Sequence, residues 1–340
     1  MEDIARKIQS KAYELGYEKC GIVPLERIRD YKLRLEERVQ KVPSSAGFYG
    51  RQKRLTEPES AFPWAKSVVV VSQGYGQYKI PESLSGIFGK FYLFDGRANE
   101  NTEEFQMGTK FEEYMRDLGL QAVTERKFGL VGLRWAAMEA GLGIIRQNNF
   151  FYTDSGSWLI LYAWLVDAEI ELKETCDLPP CPKNCHRCVE ACPTQSLSEP
   201  YTMDPTACVS FLTTFGPHDF INNPNRQKFR NCLYGCDICQ DVCPMNKGKL
   251  EGKQEFPGLS DLVPALLPEE IINMEEAFFR ETIQPKFYYL TPDDLWKLKI
   301  NALCYMQNNY EEKYRACILG ACESEDEKVR EIARDIRARI

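Results

Sequence analysis

Two cysteine motifs in the middle of the chain restrict its fold and chemistry more than any other feature of the sequence. The first runs from Cys181 to Pro193 and the second from Cys232 to Pro244, and each has the spacing C-x3-C-x2-C-x3-C-P. This spacing is close to the C-x2-C-x2-C-x3-C-P run in which three cysteines ligate one 4Fe-4S cluster and the cysteine before proline ligates another. The two motifs therefore predict two 4Fe-4S clusters in one module.

Disulfide bonds and structural zinc are the alternative uses of so many cysteines. The chain has fourteen cysteines, and its first residues carry neither an apolar signal region nor a twin-arginine pair. We therefore expect a reducing, cytoplasmic setting in which disulfides are rare. Structural zinc sites use C-x2-C pairs, but they do not require a Cys-Pro ending on both motifs. Cluster ligation remains the interpretation that accounts for the whole pattern.

Composition and charge limit the other function classes. The 340 residues are 44% hydrophobic and 27% charged, with a formal net charge of −7. These values are ordinary for a globular protein of two or three modules, and the acidic balance disfavours tight, non-specific binding to nucleic acid. The longest apolar run, residues 158–166, is too short to span a bilayer. We therefore expect no membrane partner.

The pattern of apolar and turn residues divides the chain into three parts. Residues 1–175 alternate between helical and strand periodicity, which predicts an α/β domain. Residues 176–250, rich in Cys, Pro and Asn, form the cluster module, in which metal rather than an apolar core holds the chain. Residues 251–340 have helical periodicity throughout.

Individual elements follow from the same pattern. Glycines that follow apolar helical stripes predict the ends of helices at Gly16, Gly119 and Gly141. Thr291 is the expected N-cap of a C-terminal helix, with proline at its first position. Apolar and β-branched runs predict strands at Cys20–Val23, Ser67–Ser72, Ser157–Asp167 and, as an exposed strand, Ala168–Leu172.

Several stretches outside the motifs, together with the motifs themselves, carry a resemblance to a known family. The stretches are Leu15–Pro24, Phe48–Arg51, Pro63–Val71, Ala140–Asn148, Gly156–Leu159, Ala191–Thr194, Cys208–Thr213 and Gly235–Pro244. Their combination resembles the epoxyqueuosine reductase family of cobalamin-dependent iron–sulfur proteins, which is related to the reductive dehalogenases.

The resemblance implies an α+β fold with three parts. These are a flavin-reductase-like α/β domain that binds cobalamin, a ferredoxin-like module with two clusters, and a short, repeat-like helical cap. It further implies a cytoplasmic reductase in which electrons from a ferredoxin or flavodoxin-type donor pass through the clusters to cobalamin and then to an organic substrate. The residues expected to contact cobalamin are Gly141, Gly143, Arg146, Asn148 and Ser157.

The resemblance also sorts the cysteines. It implies that Cys181, Cys185, Cys188 and Cys243 ligate cluster one and that Cys192, Cys208, Cys236 and Cys239 ligate cluster two. By spacing alone, Cys232 qualifies for cluster two as well as Cys208 does. The extra residue between Cys181 and Cys185 leaves Cys176 as a further candidate for cluster one.

The chain departs from the family around the expected substrate. The family carries an acidic residue, the expected proton donor, upstream of the Gly-Leu-Gly turn. Counting back from Gly141 puts Lys127 there, with Glu125 two residues away as the acid if the register slips. The family's Gly-Lys-Asn has become Arg146-Gln147-Asn148, and of another family stretch only Gly96–Arg97 remains. Lys127 is either a general acid or anion anchor, or a solvated surface lysine.

These departures lead to two hypotheses about function. The first is a corrinoid-dependent reductase, for which reduction of epoxyqueuosine in tRNA competes with reduction of a smaller organic molecule. In the former case tRNA is a partner. The second is an electron-transfer or reductive-activation protein that delivers electrons to a corrinoid protein partner. His218 is expected to cap a turn rather than to approach the cofactor.

Overall fold

The computed structural model describes residues 2–94, 98–216, 219–250 and 252–340, so the expectations for His218 and for Gly96–Arg97 lie outside the described residues. The helices are α1 Glu2–Leu15, α2 Tyr31–Lys41, α3 Ala46–Arg51, α4 Glu103–Asp117, α5 Leu133–Glu139, α6 Arg187–Ala191, α7 Val209–Phe215, α8 Ile238–Asp241, α9 Pro268–Asn273, α10 Glu276–Phe278, α11 Gln284–Lys286, α12 Leu295–Asn308, α13 Arg315–Ala321 and α14 Glu327–Arg337. The strands are β1 Lys19–Pro24, β2 Ser67–Gly74, β3 Tyr78–Lys79, β4 Ala122–Val123, β5 Ile144–Ile145, β6 Phe151–Tyr152, β7 Leu159–Val166 and β8 Gln254–Glu255.

A four-stranded sheet of order β1-β2-β7-β4 organises the N-terminal half, and all of its pairings are antiparallel. The two central strands, β2 and β7, are apolar on both faces because helices and loops cover both sides. Val69 and Val71 face the larger core, which includes α1, α4 and residues of the C-terminal half, whereas Val68 and Val70 face a smaller core with α2 and α5.

The helix ends follow the sequence pattern where a glycine can adopt a left-handed conformation. Gly16, Gly119 and Gly141 have φ angles of +101°, +84° and +74°. Gly16 follows α1 directly, and one residue separates Gly119 from α4 and Gly141 from α5. Such angles are accessible to glycine without the steric cost that a side chain brings. The predicted ends of these three helices are therefore confirmed.

The cysteine motifs and the C-terminal helices are joined to the sheet domain by several contacts. β8 pairs in parallel with β3, and Tyr234 pairs through an isolated bridge with Phe88. In the C-terminal half, α12 packs against α9 and α14. The proposed boundaries at 175 and 250 stay a prediction, and the larger core includes residues from all three parts.

Two local predictions are wrong. Residues 168–172 form no strand: only Leu172 bridges to Ile22. Ile170 is buried, and its N–H and carbonyl both form hydrogen bonds with the Ser67 hydroxyl. Thr291 is not an N-cap, since α12 begins at Leu295 and the Asp294 carboxylate accepts a hydrogen bond from the Thr291 N–H. In the part of the chain that the structure describes, no helix has the length and apolarity needed to cross a membrane.

Candidate functional site

The four cysteines assigned to cluster one line a single small cavity. Cys181, Cys185 and Cys188 come from the loop before α6 and from α6 itself, and Cys243 comes from the turn that follows α8. Arg146, Gln147, Asn148, Arg187 and Pro244 complete the cavity wall. Burial, together with the nearby thiols of Cys181 and Cys243, raises the pKa of Cys188 to about 11. The structure therefore brings together the four residues that the sequence assigned to one cluster.

The four cysteines assigned to cluster two are also mutual neighbours. Burial raises the pKa of Cys208 to about 11, with Cys236 and Cys192 adding to the effect. Burial likewise raises the pKa of Cys239, and the thiols of Cys236, Cys208 and Cys192 raise it further. Cys232 is buried, and its side chain forms a hydrogen bond with Cys236 that raises the pKa of the Cys236 thiol.

In the part of the chain that the structure describes, no three His, Cys, Asp or Glu side chains are spaced as ligands of one metal ion.

Side chains that are accessible yet desolvated indicate a cleft beside the second group of cysteines. Arg134 is exposed, yet desolvation by the surrounding protein lowers the pKa of its guanidinium. Tyr92, Cys208 and Cys239 are likewise only partly buried, although desolvation raises the pKa of each. A side chain that is both accessible and desolvated lines a concave surface. The Cys239 thiol also acts electrostatically on Arg134, so Arg134 lies near the second group of cysteines.

Two arginines and two tyrosines form one wall of this cleft. Arg38 lies over the ring of Tyr49 at 5.5 Å, and Arg38 and Arg134 repel each other. Tyr31, Tyr49 and Cys239 are the nearby groups that favour the charged form of Arg134. Among the described ion pairs, neither arginine has a carboxylate partner. Two such adjacent cations favour an anionic ligand.

Polar side chains of the sheet domain fix the second cysteine motif in place. The Asn148 side-chain amide donates to the Cys239 carbonyl at 3.0 Å and to the Tyr152 hydroxyl at 2.9 Å. The Ser157 hydroxyl hydrogen-bonds the Gln240 side chain at 2.8 Å. Asn148 and Ser157, expected to contact cobalamin, therefore bind the protein's own loops in the structure.

Gly141 and Gly143 also face protein rather than open space. A Cβ atom at Gly141 would lie 2.0 Å from the Glu174 carbonyl oxygen, and one at Gly143 would lie 2.0 Å from the Tyr152 carbonyl oxygen. Close backbone packing alone excludes a side chain at both positions. Arg146 points toward the first group of cysteines, with its Nη1 3.8 Å from the Cys181 Sγ.

The loop of Lys127 is held by Glu125. One carboxylate oxygen of Glu125 accepts from the Lys127 N–H at 2.8 Å and the other from the Phe128 N–H at 2.6 Å. The Tyr289 hydroxyl donates to the Lys127 carbonyl at 3.2 Å. The Lys127 Nζ lies 5.4 Å from the centre of the Phe128 ring. Glu125 therefore serves as a cap for this turn.

An aromatic rim connects this loop to the second group of cysteines. The rim consists of Phe48, Phe211, Phe215, Tyr289 and Phe128, whose successive ring centres are 5.2 to 5.7 Å apart. Phe211 and Phe215 belong to α7, which begins directly after Cys208, and Phe128 and Phe215 are exposed. Lys127 thus lies at the outer end of a surface that leads toward Cys208.

Several residues of the site were missed from the sequence. Arg134 is a charged residue next to the buried Trp135 and Ala136 in α5, a local signal that could have been used. Asp237 stands inside the second motif, and its buried ion pair with Lys90 at 3.3 Å depends on a residue far away in sequence. Only the folded chain brings these two residues together.

Comparisons with known proteins agree with this geometry. A family model for the 4Fe-4S double cluster binding domain matches residues 181–246. The epoxyqueuosine reductase of Prochlorococcus marinus (strain NATL2A) is 25% identical to this chain over 312 residues, which cover 88% of the chain and 97% of the relative.

Two solved structures share the fold. One is an epoxyqueuosine reductase with an epoxyqueuosine-modified tRNA-Tyr stem loop, with a TM-score of 0.77, 22% identity, and coverage of 98% of this chain and 88% of the other. The second is the Bacillus subtilis epoxyqueuosine reductase with its catalytic aspartate loop swung out of the active site, with a TM-score of 0.76, 22% identity, and coverage of 98% and 90%.

The predicted resemblance to the epoxyqueuosine reductases is confirmed, and with it the prediction of an oxidoreductase. The predicted module with two 4Fe-4S clusters and the mixed helix and strand architecture are confirmed as well. The individual ligands, the catalytic residues and cobalamin binding stay predictions.

Proposed function

We propose that this chain is a cytoplasmic, corrinoid-dependent iron–sulfur reductase, in which electrons pass through two 4Fe-4S clusters to cobalamin and then to an organic substrate. The observation that carries the proposal is the arrangement of eight cysteines in two groups of four, with the second group accessible from the cleft beside Arg134. A four-thiol group suits a 4Fe-4S cluster, and a reducing setting keeps all fourteen cysteines free for ligation.

For cluster one the proposed ligands are Cys181, Cys185, Cys188 and Cys243. For cluster two they are Cys192, Cys208, Cys236 and Cys239. Cys208 is preferred to Cys232 because it neighbours Cys192, Cys236 and Cys239, whereas the contact of Cys232 is with Cys236. Backbone N–H groups of Ser210 and Phe211 point at the Cys208 thiol and favour its thiolate.

The cleft offers groups that suit cobalamin, which carries a phosphate and several amides. Arg38 and Arg134 supply two cations without carboxylate partners among the described ion pairs, as a phosphate requires. When bound there, the corrinoid would supply two-electron reduction of an organic substrate from electrons received singly. Gly141, Gly143, Asn148 and Ser157 would support it by fixing the wall of the cleft.

The substrate is proposed to differ from epoxyqueuosine in tRNA. Where the related enzymes carry an acid, this loop presents the Lys127 ammonium, and both oxygens of Glu125 are engaged by backbone N–H groups. A lysine beside the aromatic rim suits a substrate with an anionic group and an apolar or aromatic body. The opposite possibility, that tRNA is retained, is supported by the stem loop bound to a structural neighbour.

The electron donor would approach near cluster one. Lys183, His186 and Arg187 are exposed on the loop that carries Cys181, Cys185 and Cys188. An exposed basic loop attracts acidic partners such as ferredoxins and flavodoxins, which supports a donor of this type. The competing function, delivery of electrons to a corrinoid protein partner, would leave the cleft without a corrin of its own.

The test is corrin retention by the iron-loaded protein. The protein is purified without oxygen, mixed with cobalamin, passed through gel filtration and examined by its visible spectrum. We expect corrin to co-elute with the wild-type protein. In Arg134→Gln we expect corrin to be retained at least roughly tenfold more weakly than in wild type, because a charged hydrogen-bonding partner is lost. Arg34→Gln is the matched control, since Arg34 is exposed on α2 and paired with Glu37.

Absence of corrin from wild-type protein with a full iron content would exclude the reductase and favour the electron-transfer function. If corrin is retained, turnover of epoxyqueuosine tRNA decides the substrate. We expect no turnover by wild type or by Lys127→Asp. Turnover by wild type would overturn the proposed change of substrate.

A further inference from the structure

Arg146 is a buried cation in an unusual position. It is 2% exposed and lies in the wall of the cavity that holds the first group of cysteines. Its Nη1 is 3.8 Å from the Cys181 Sγ, and its guanidinium lies 5.1 Å from the centre of the Tyr152 ring. Its Nε is buried without a hydrogen-bond partner.

The surroundings of Arg146 contain thiols rather than carboxylates. In the described part of the chain, no acidic side chain forms an ion pair with Arg146. A buried cation without a counter-charge is strongly unfavourable. The groups that can become negative beside it are Cys181, Cys185, Cys188 and Cys243, which are thiolates when they ligate iron.

We infer that Arg146 is the counter-charge of cluster one and raises the reduction potential of that cluster. The inference rests on the proposed ligand set of cluster one. Adding an electron makes a thiolate-ligated cluster more negative, so a fixed positive charge stabilises the reduced state more than the oxidised state. Because the guanidinium is buried, water and salt screen this interaction little.

The local backbone holds Arg146 beside the first group of cysteines. Arg146 lies in the turn between β5 and β6. Its position is fixed by a tight turn: the Arg146 N–H donates to the Phe150 carbonyl at 3.0 Å, and the Asn149 N–H donates to the Arg146 carbonyl at 2.8 Å. Arg146 is thus a positioning residue that acts through the cluster, and a higher potential would help cluster one accept electrons from a donor.

The test is a redox titration of the iron-loaded protein, without corrin, followed by electron paramagnetic resonance. In Arg146→Gln we expect the ratio of reduced to oxidised cluster, at a fixed potential, to fall about tenfold for one of the two clusters. A tenfold change corresponds to a potential about 59 mV lower for a one-electron couple. Arg146→Lys keeps the charge and should stay near the wild-type value.

Arg187→Gln is the matched control. Arg187 lines the same cavity but is exposed, so removing its charge should leave both potentials nearly unchanged. Unchanged potentials in a fully loaded Arg146→Gln protein would overturn the inference. An equal shift in Arg187→Gln would do so too, because burial would then be irrelevant.

Iron and sulfide analysis separates this inference from the proposed function. A wild-type protein that holds fewer than two clusters contradicts the proposed function itself. If Arg146→Gln alone fails to load cluster one while Arg146→Lys loads it with a wild-type potential, the need for the charge is supported. Loss of cluster one in both variants, with Arg187→Gln fully loaded, would assign Arg146 a purely steric role and overturn the inference.

Discussion

The two most deeply buried arginines of the described chain show two different ways of keeping a cation inside a protein. Arg226 and Arg146 are each 2% exposed. Arg226, in the loop before the second cysteine motif, forms an ion pair with Asp335 of the C-terminal helix α14. Arg146 faces the thiol of Cys181 and has no such partner among the described ion pairs.

The difference indicates where the fold depends on iron. The Arg226–Asp335 ion pair forms within the polypeptide alone, although the Arg226 Nη1 is buried without a hydrogen-bond partner, and it connects the cluster module to the C-terminal helices. The charge of Arg146 is balanced only when its neighbouring cysteines become thiolates by binding metal. We therefore expect the region around Arg146 to be stable only with its cluster, and the region around Arg226 to be stable with or without iron.

The largest expected effect concerns the assignment of thiols to two separate clusters. Cys208→Ser should remove about four of about eight iron atoms, whereas Cys232→Ser should retain nearly all of them. Iron and sulfide analysis of the two variants gives the answer directly. Loss of half of the iron in Cys232→Ser, together with a full iron content in Cys208→Ser, would reverse the ligand assignment.

The next largest expected effect follows from breaking the ion pair between Arg226 and Asp335. Asp335→Asn leaves the buried Arg226 without its counter-charge, and we expect the free energy of unfolding to fall by about 3 kcal/mol. Chemical denaturation of the iron-loaded protein measures this. Arg339→Gln removes the exposed partner of Asp335 and should cost less than about 1 kcal/mol. Equal losses of unfolding free energy in both variants would show that the Arg226–Asp335 pair stabilises the protein no more than the exposed Arg339–Asp335 pair does.

Acid should weaken the same pair. Burial acts to raise the pKa of Asp335, but hydrogen bonds and charge from Arg226 and Arg339 outweigh it and hold this pKa below its usual range. A lowered pKa in the folded state contributes stability above the pKa of the unfolded chain, and this contribution is lost as the pH falls through the folded-state pKa. The difference in denaturation midpoint between wild type and Asp335→Asn should therefore shrink below about pH 5. A difference independent of pH would contradict the ion pair.

The sequence predicts local elements well where one residue type decides them. The strands β1, β2 and β7 and the helix ends at Gly16, Gly119 and Gly141 follow from short apolar runs and from glycine. The prediction of a strand at Ala168–Leu172 was wrong because the Ile170 backbone bonds to the side chain of Ser67 rather than to the backbone of a strand. The antiparallel order of the sheet depends on pairing between distant segments, which periodicity does not encode.

The candidate site was predictable in its cysteines but not in its charges. Regular spacing predicts that the cysteines ligate clusters, but the division of the cysteines between the two clusters came from the family resemblance. Arg146 lies 35 residues before Cys181, and Lys90 lies 147 residues before Asp237. Electrostatic partners so far apart in sequence meet only through the tertiary fold, and the accessible side of Arg134 depends on the shape of the cleft.

The most direct test of the contrast between the two arginines is the thermal denaturation midpoint of the iron-loaded and iron-free proteins, measured for wild type and Arg146→Gln. The account predicts opposite signs: the substitution lowers the midpoint of the iron-loaded protein, because a counter-charge is lost, and raises that of the iron-free protein, because an unbalanced buried cation is removed. A change in the same direction in both forms would contradict the claim that cluster one balances the charge of Arg146.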